Sequence, residues 1–148
     1  MSIAGTEELE STAQEPSRSD EMRTAEVRRT VLLVEDDPAN REALIEILQL
    51  WGYDVLPVVS AEEAEYAVRR RRPDAALIDV YLPGRSGASL MAKLREKFPD
   101  VVLIGMSGLG DAAMARTLKG VGADQFVGKP ISLDELASAL RSPRTSWH

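Results

Sequence analysis

The sequence predicts an α/β fold in which a five-stranded parallel sheet lies between two layers of helices. Three observations carry this expectation. Five short apolar runs recur along the chain, each bounded by turn residues, as buried strands are. A segment of helical periodicity follows each run. The first and third runs end abruptly in acids, Glu35-Asp36-Asp37 and Asp79. Strict alternation of strand and helix implies a parallel sheet covered on both faces. The expected architecture is the flavodoxin-like (βα)5 sandwich with strand order 2-1-3-4-5.

The first strand is Val31-Leu32-Leu33-Val34. Asp37 suits the N-cap of the helix that follows and Pro38 its first turn. Leu44, Ile47, Leu48 and Trp51 fall on one face of that helix, and Gly52 stops it. The second strand spans 54–59. Ser60 and Glu63 form a capping box, opening a helix that runs to Arg72. Its apolar face, Ala64, Ala67 and Val68, is weak, so peripheral packing is expected. The third strand, 75–79, ends at Asp79, and Pro83-Gly84 and Gly87 turn the chain. A helix over 88–98 presents Leu90, Leu94 and Phe98. The fourth strand covers 101–106, and a helix over 111–121 is closed by Gly120 and Gly122. The fifth strand is 124–128. Ser132 caps a last helix with Leu133, Leu136, Ala137 and Leu140 on one face, and Ser142-Pro143 ends it.

The domain is thus expected over 29–142, with a short tail at 143–148. Residues 1–28 are polar and carry seven acids, which reads as a disordered or weakly helical leader, with Glu21–Arg29 able to form a turn or two of helix. The chain of 148 residues is long enough for one domain with its own core. A net charge of -6 argues against a nucleic-acid-binding surface. The absence of cysteine rules out disulfides and thiolate metal sites. No apolar run approaches the roughly 20 residues of a membrane span. The acidic start lacks the apolar core of a secretory signal, so a cytoplasmic location without membrane contact is expected. The single histidine is His148, so any phosphohistidine used here must come from another protein.

In the 2-1-3-4-5 order, strands one and three are neighbours, and Glu35, Asp36 and Asp79 face one crevice at the carboxyl edge of the sheet. Such carboxylates repel one another, by about 4 kcal/mol for two charges 4 Å apart at an effective dielectric near 20. Protonation or a cation must offset that. Hard oxygen ligands suit Mg²⁺, and an aspartate beside Mg²⁺ can act as a nucleophile towards phosphorus. Ser107, just after the fourth strand, offers a hydroxyl for a phosphoryl oxygen. Lys129, just after the fifth, offers a balancing charge.

These pieces taken together (Val34-Glu35-Asp36-Asp37, Asp79 with Leu82-Pro83-Gly84 and Gly87, Ser107, and Lys129-Pro130) resemble the receiver domain of two-component response regulators. The resemblance covers about residues 29–142. It implies that Asp79 is the phosphoacceptor. It implies that Asp36 ligates Mg²⁺ directly, that Glu35 acts mainly through a metal-bound water, and that the main-chain carbonyl of Tyr81 is the third protein ligand. Mn²⁺ would be a substitute metal. Ser107 would move to the phosphoryl group, Lys129 would pair with it, and Phe126 would be the aromatic switch. The readout face would be the fourth helix, fifth strand and fifth helix, about 110–141.

The sequence departs from the family pattern in places. The acid pair begins with Glu35 rather than Asp, and Phe126 lacks a hydroxyl. Gly108 and Gly110 make the loop after Ser107 mobile. Tyr81 and Leu109 are bulky and would hinder an attacking water, which points to a moderately long-lived phosphoryl state. Gly108-Leu109-Gly110-Asp111-Ala112-Ala113 imitates a dinucleotide fingerprint, but it follows the fourth strand rather than the first.

The expected function is a phosphorelay switch rather than an enzyme with a separate substrate. A histidine kinase or histidine phosphotransfer protein would charge Asp79, and a downstream protein target would read the result. A monomer or weak dimer is expected. Only 18 residues follow Pro130, so no output domain is expected within the chain. The alternatives are a phosphorylation-independent interaction module with a receiver fold, and the terminal receiver of a hybrid histidine kinase.

Overall fold

A computed structural model describes residues 28–108 and 112–141. The strands are β1 (Thr30–Val34), β2 (Asp54–Val58), β3 (Ala75–Asp79), β4 (Val102–Gly108) and β5 (Gln125–Lys129). They alternate with α1 (Pro38–Leu50), α2 (Ala61–Arg70), α3 (Gly87–Lys97), α4 (Ala112–Gly120) and α5 (Leu133–Arg141). All strands are parallel, in the order β2-β1-β3-β4-β5. The flavodoxin-like sandwich expected from the alternation is the fold. The expectations for the leader, for Leu109, Gly110 and Asp111, and for the tail with His148 lie outside the described residues.

Two-residue alternation divides β1, β3 and β4 between two cores. Leu32, Val34, Ala76, Ile78 and Leu103 face α2, α3 and α4, where Leu90, Met91, Leu94 and Leu118 meet them. Val31, Leu33, Leu77, Ile104 and Met106 face α1 and α5, where Leu44, Leu48, Leu136 and Leu140 meet them. Both faces of the central strands are covered, so these strands read as unbroken apolar runs.

The caps follow the sequence closely. Asp37 accepts from the Asn40 amide at 2.9 Å, with Pro38 at the first helical position. Ser60 accepts from the Glu63 amide at 3.1 Å, and Glu63 reaches back to the Val59 amide at 3.1 Å. Ser132 accepts from the Glu135 amide at 3.3 Å. Gly52 ends α1 at φ +95°, a conformation that a side chain rarely adopts.

Several expectations need correction. The face of α2 is not peripheral: Ala61, Ala64 and Val68 are buried in the core, because small side chains let the helix approach β1 and β2 closely. On α1, Ile47 is only half-buried and Trp51 is exposed, since the sheet covers the narrower stripe of Leu44 and Leu48. Leu133 is likewise 48% exposed, at the outer edge of α5. Helix α3 begins at Gly87, capped by Ser86, which accepts from the Ser89 amide. Strand β4 runs on to Gly108 because β5 continues to pair with it there.

Candidate functional site

The carboxyl edge of the sheet is assembled from strand ends. The Glu35 amide, one residue beyond β1, donates to the Val58 carbonyl at 3.1 Å, which fixes where the chain leaves the sheet. Asp79 ends β3, in register with Met106 of β4. Ser107 is the next residue of β4 and pairs with Gly128, while Gly108 pairs with Lys129. Ser107 and Lys129 therefore lie within strand ends rather than just after them, as the sequence had suggested. The shift follows from the longer β4–β5 ladder.

Alternation also assigns sides. Glu35 continues the row of Val31 and Leu33, Asp79 that of Ala75 and Leu77, and Lys129 that of Val127. All three rows face α1 and α5. Ser107 continues the opposite row, after Leu103 and Gly105. Phe126 is half-buried on that opposite side, packed against the core under α2–α4. Gly105, its register partner, has no room for a side chain. A Cβ there would come within 2.6 Å of a Leu118 methyl, 3.2 Å of the Met91 methyl and 3.5 Å of the Phe126 ring.

Lys129 joins the two buried acids. Its Nζ donates to Asp79 Oδ2 and to Glu35 Oε1, at 2.9 Å each. Glu35 is fully buried and Asp79 nearly so, whereas Asp36 is exposed. One oxygen of each of the three acids lies within 4.8 Å of the others. The remaining acceptors are partly used: the Asp37 amide donates to Glu35 Oε2 at 3.1 Å, and the Tyr81 amide to Asp79 Oδ1 at 2.9 Å. Burial raises the Glu35 acid above its ordinary range, and the bonds from Lys129 and the Asp37 amide only partly oppose this. For Lys129, burial works against the charge, but the bonds to Asp79 and Glu35 outweigh it, so the ammonium is held more firmly than usual. The lysine remains a cation throughout the physiological range.

The loop after Asp79 is pinned at close quarters. Val80 donates its amide to the Met106 carbonyl and Gly87 donates to the Val80 carbonyl, both at 3.0 Å. A Cβ on Gly87 would collide with the Asp79 carbonyl oxygen and lie 2.7 Å from Val80 Cα. Only glycine lets the first turn of α3 close against the acid-bearing strand end. Gly84 turns the loop at φ +84°. Tyr81 is 59% exposed, so its ring offers less shielding of Asp79 than its bulk suggests.

Sequence reasoning missed three arginines. Arg41, in the first turn of α1, donates to the Glu35 carbonyl at 3.0 Å and so steadies the acid pair from behind. Its place one turn after the acids was the available signal. Arg85 bonds Glu65 of α2 at 2.7 Å, which ties the loop after Asp79 to that helix. That bond holds the Glu65 carboxyl below its ordinary range and raises the arginine further. Arg95 binds Asp124 at 2.6 Å at the opposite edge of the sheet, and no local pattern announces that pairing. Among the described residues, no helix is long and apolar enough to cross a membrane.

A sheet of this order, with acids and a lysine gathered at its carboxyl edge, is the architecture of the CheY-like receivers. A crystal structure of a CheY-like response regulator receiver domain protein from Methanospirillum hungatei matches with a TM-score of 0.72 at 25% identity, over 77% of this chain and 91% of that one. The chain belongs to the response regulator receiver domain family, whose pattern matches residues 31–141. It is 39% identical over 118 residues to a cyclic di-GMP phosphodiesterase of Thermotoga maritima, covering 76% of this chain and 31% of that protein. It is 32% identical over 118 residues to the phosphate regulon transcriptional regulatory protein PhoB of Pseudomonas aeruginosa, covering 78% of this chain and 52% of that one. The chain thus spans about a third to a half of the length of these relatives. Its class is a receiver domain of two-component phosphorelay signalling.

Proposed function

We propose that this receiver accepts a phosphoryl group on Asp79 from a phosphohistidine of a partner histidine kinase or phosphotransfer protein, in a reaction that depends on Mg²⁺. The observation that carries this reading is the pair of hydrogen bonds from Lys129 to Asp79 and Glu35, beside Asp36. A lysine shared by two acids holds the acceptor in one orientation and already supplies part of the positive charge that phosphoryl transfer needs.

The donor set fits a hard divalent cation. It is all oxygen, it gathers within 4.8 Å, and it carries more negative charge than Lys129 alone offsets. Glu35, Asp36, Asp79 and the main-chain carbonyl of Tyr81 would hold Mg²⁺, or Mn²⁺ in its stead. The bound ion would offset negative charge on the phosphoryl oxygens as they approach the acids. Within this chain, a carboxylate oxygen of Asp79 attacks phosphorus as the N–P bond to the donor imidazole breaks, and the imidazole keeps the bonding pair. The product is an acyl phosphate. Lys129 follows the new charge onto the phosphoryl oxygens. Ser107, on the adjacent strand, supplies a hydroxyl to one of them.

The readout in this proposal runs through β4 and β5. Drawing Ser107 towards the phosphoryl group frees room beside Gly105, and the Phe126 ring moves into it, reshaping the α4–β5–α5 face that a downstream protein reads. Slow hydrolysis of the acyl phosphate resets the switch.

The test is intact mass after incubation with acetyl phosphate and Mg²⁺. One added phosphoryl group is expected on the wild type, and none on Asp79→Ala or in the presence of a chelator. An adduct that persists in folded Asp79→Ala, or none on the wild type from either acetyl phosphate or a phosphorylated histidine donor, refutes the assignment.

A further inference from the structure

The charge on this acidic chain is unevenly spread. Four consecutive arginines, Arg69–Arg72, close α2 on a protein whose net charge is -6. Two have acidic partners: Arg71 bonds Asp54 at 2.8 Å, and Arg72 approaches Asp100 at 4.0 Å. Arg69 and Arg70 have none among the described residues. Both lie over the ring of Tyr66, at 5.7 and 5.5 Å from its centroid, and Arg70 also donates to the Tyr66 hydroxyl at 3.2 Å. Arg69, Arg70 and Tyr66 are all exposed. Contact with the ring holds both guanidiniums beside Tyr66 at the exposed end of α2. This is a cationic surface for which the described residues provide no ion-pair partner to Arg69 or Arg70.

The chain enters the fold beside this surface. Arg28 bonds Asp54 at 3.2 Å, and Asp54 is the same carboxylate that accepts from Arg71. The segment preceding Arg28 therefore starts next to the end of α2. Between Met1 and Val27 it carries seven acids and two arginines, with Asp20, Glu21 and Glu26 nearest the fold. Glu21 is seven residues from Arg28, a reach of about 25 Å at full extension, against about 15 Å for the whole of α2. Tethering raises the effective concentration of such a segment to the millimolar range, so weak charge pairing is enough to populate the contact.

We propose that the acidic segment 1–27 docks on the Arg69–Arg70–Tyr66 surface of α2 within the same molecule. The contact is charge-driven and covers a basic patch that another anionic partner would otherwise reach. It lies at the opposite end of α2 from Asp79, so it operates apart from the phosphoryl site.

The absence of cysteine makes the test clean, because a single Ser19→Cys substitution gives a unique attachment point on the full chain. A nitroxide label there should broaden the amides of Tyr66–Arg72, reducing their signals by roughly half or more at about 0.02 M salt and largely releasing them at about 0.5 M, where screening is strong. Introducing Arg69→Glu and Arg70→Glu into the labelled chain should abolish the broadening while the rest of the spectrum is kept. Broadening spread evenly over the surface, or insensitive to salt, would overturn the proposal. So would broadening that appears only between molecules, in a mixture of labelled and isotope-enriched chains.

Discussion

Replacing Arg95 by methionine tests a tertiary link outside the phosphoryl site. The guanidinium donates to Asp124 Oδ2 at 2.6 Å, to the Gly122 carbonyl at 2.8 Å and to the Val101 carbonyl at 2.8 Å. It thereby joins the end of α3, the start of β4 and the turn into β5. The Asp124 side chain is 2% exposed and also accepts from the Leu103 amide at 2.9 Å. Methionine keeps most of the stem that packs on Gly122 but leaves a buried carboxylate without its cation. Removing one partner of a buried ion pair costs about 3–5 kcal/mol. Arg95 is 17% exposed, so water replaces part of the lost contact and the lower end, about 3 kcal/mol, is expected. At about 4 °C per kcal/mol for a domain of this size, the melting temperature should fall by about 12 °C. Urea unfolding followed by circular dichroism should give a lower midpoint with an unchanged slope. Adding Asp124→Asn to Arg95→Met should recover about 1 kcal/mol or more, because the neutral amide oxygen still accepts from Leu103 without a buried charge. A loss below about 1 kcal/mol for Arg95→Met, or no recovery in the double variant, would refute the reasoning.

Other expectations follow from the site and its supports. Gly87→Ala should cost about 2–3 kcal/mol, since its Cβ meets rigid backbone at Asp79 and Val80, and the acceptor should be phosphorylated more slowly in the same variant. Gly84→Ala, with open space but φ +84°, should cost only about 1 kcal/mol; urea midpoints for the pair separate crowding from backbone strain. The folded-state pKa of Glu35 is raised, so its contribution to stability without divalent ions is present at low pH and lost as pH rises through that raised value. Glu35→Gln should flatten this part of the melting-temperature profile, on the high-pH side of the ordinary carboxylate range. Mg²⁺ affinity should run the other way, weakening on acidification at a higher pH than an ordinary carboxylate would give, as calorimetry can measure. Lys129→Met should leave the protein folded yet sharply reduce phosphorylation by acetyl phosphate, measured by intact mass.

Much of the fold was legible because two strand ends coincide with a chemical boundary. Val34 to Glu35 and Ile78 to Asp79 pass from apolar to acidic in one step, which marked both the strand ends and the acid cluster. Lys129 was legible only by its place after the fifth run. Other features left no mark. The burial of α2 depends on alanines, whose small size reads as a weak face in sequence and as close approach in the structure. Trp51 continues the apolar period of α1, but it sits past the last helical residue, at the C-cap, and is exposed. Ser107 lies inside β4 because β5 pairs with it there, a non-local cause. Arg95 and Asp124 are joined across separate elements, and neither has a local pattern that singles it out.

The alternation of the central strands has a thermodynamic consequence. Glu35, Asp79 and Lys129 belong to the side of α1 and α5, whereas Ser107 and Phe126 belong to the side of α2–α4. The sheet stands between two separately packed interiors. Substitutions at Leu48 or Leu136 and at Leu94 or Leu118 share no core, so their free energies should add, and each interior can be redesigned without reference to the other. Among the site-bearing strands, non-additive pairs across the sheet should be found first in β5, which carries Lys129 on one side and Phe126 on the other. A double-mutant map of this domain should therefore resolve into two independent blocks joined by one seam.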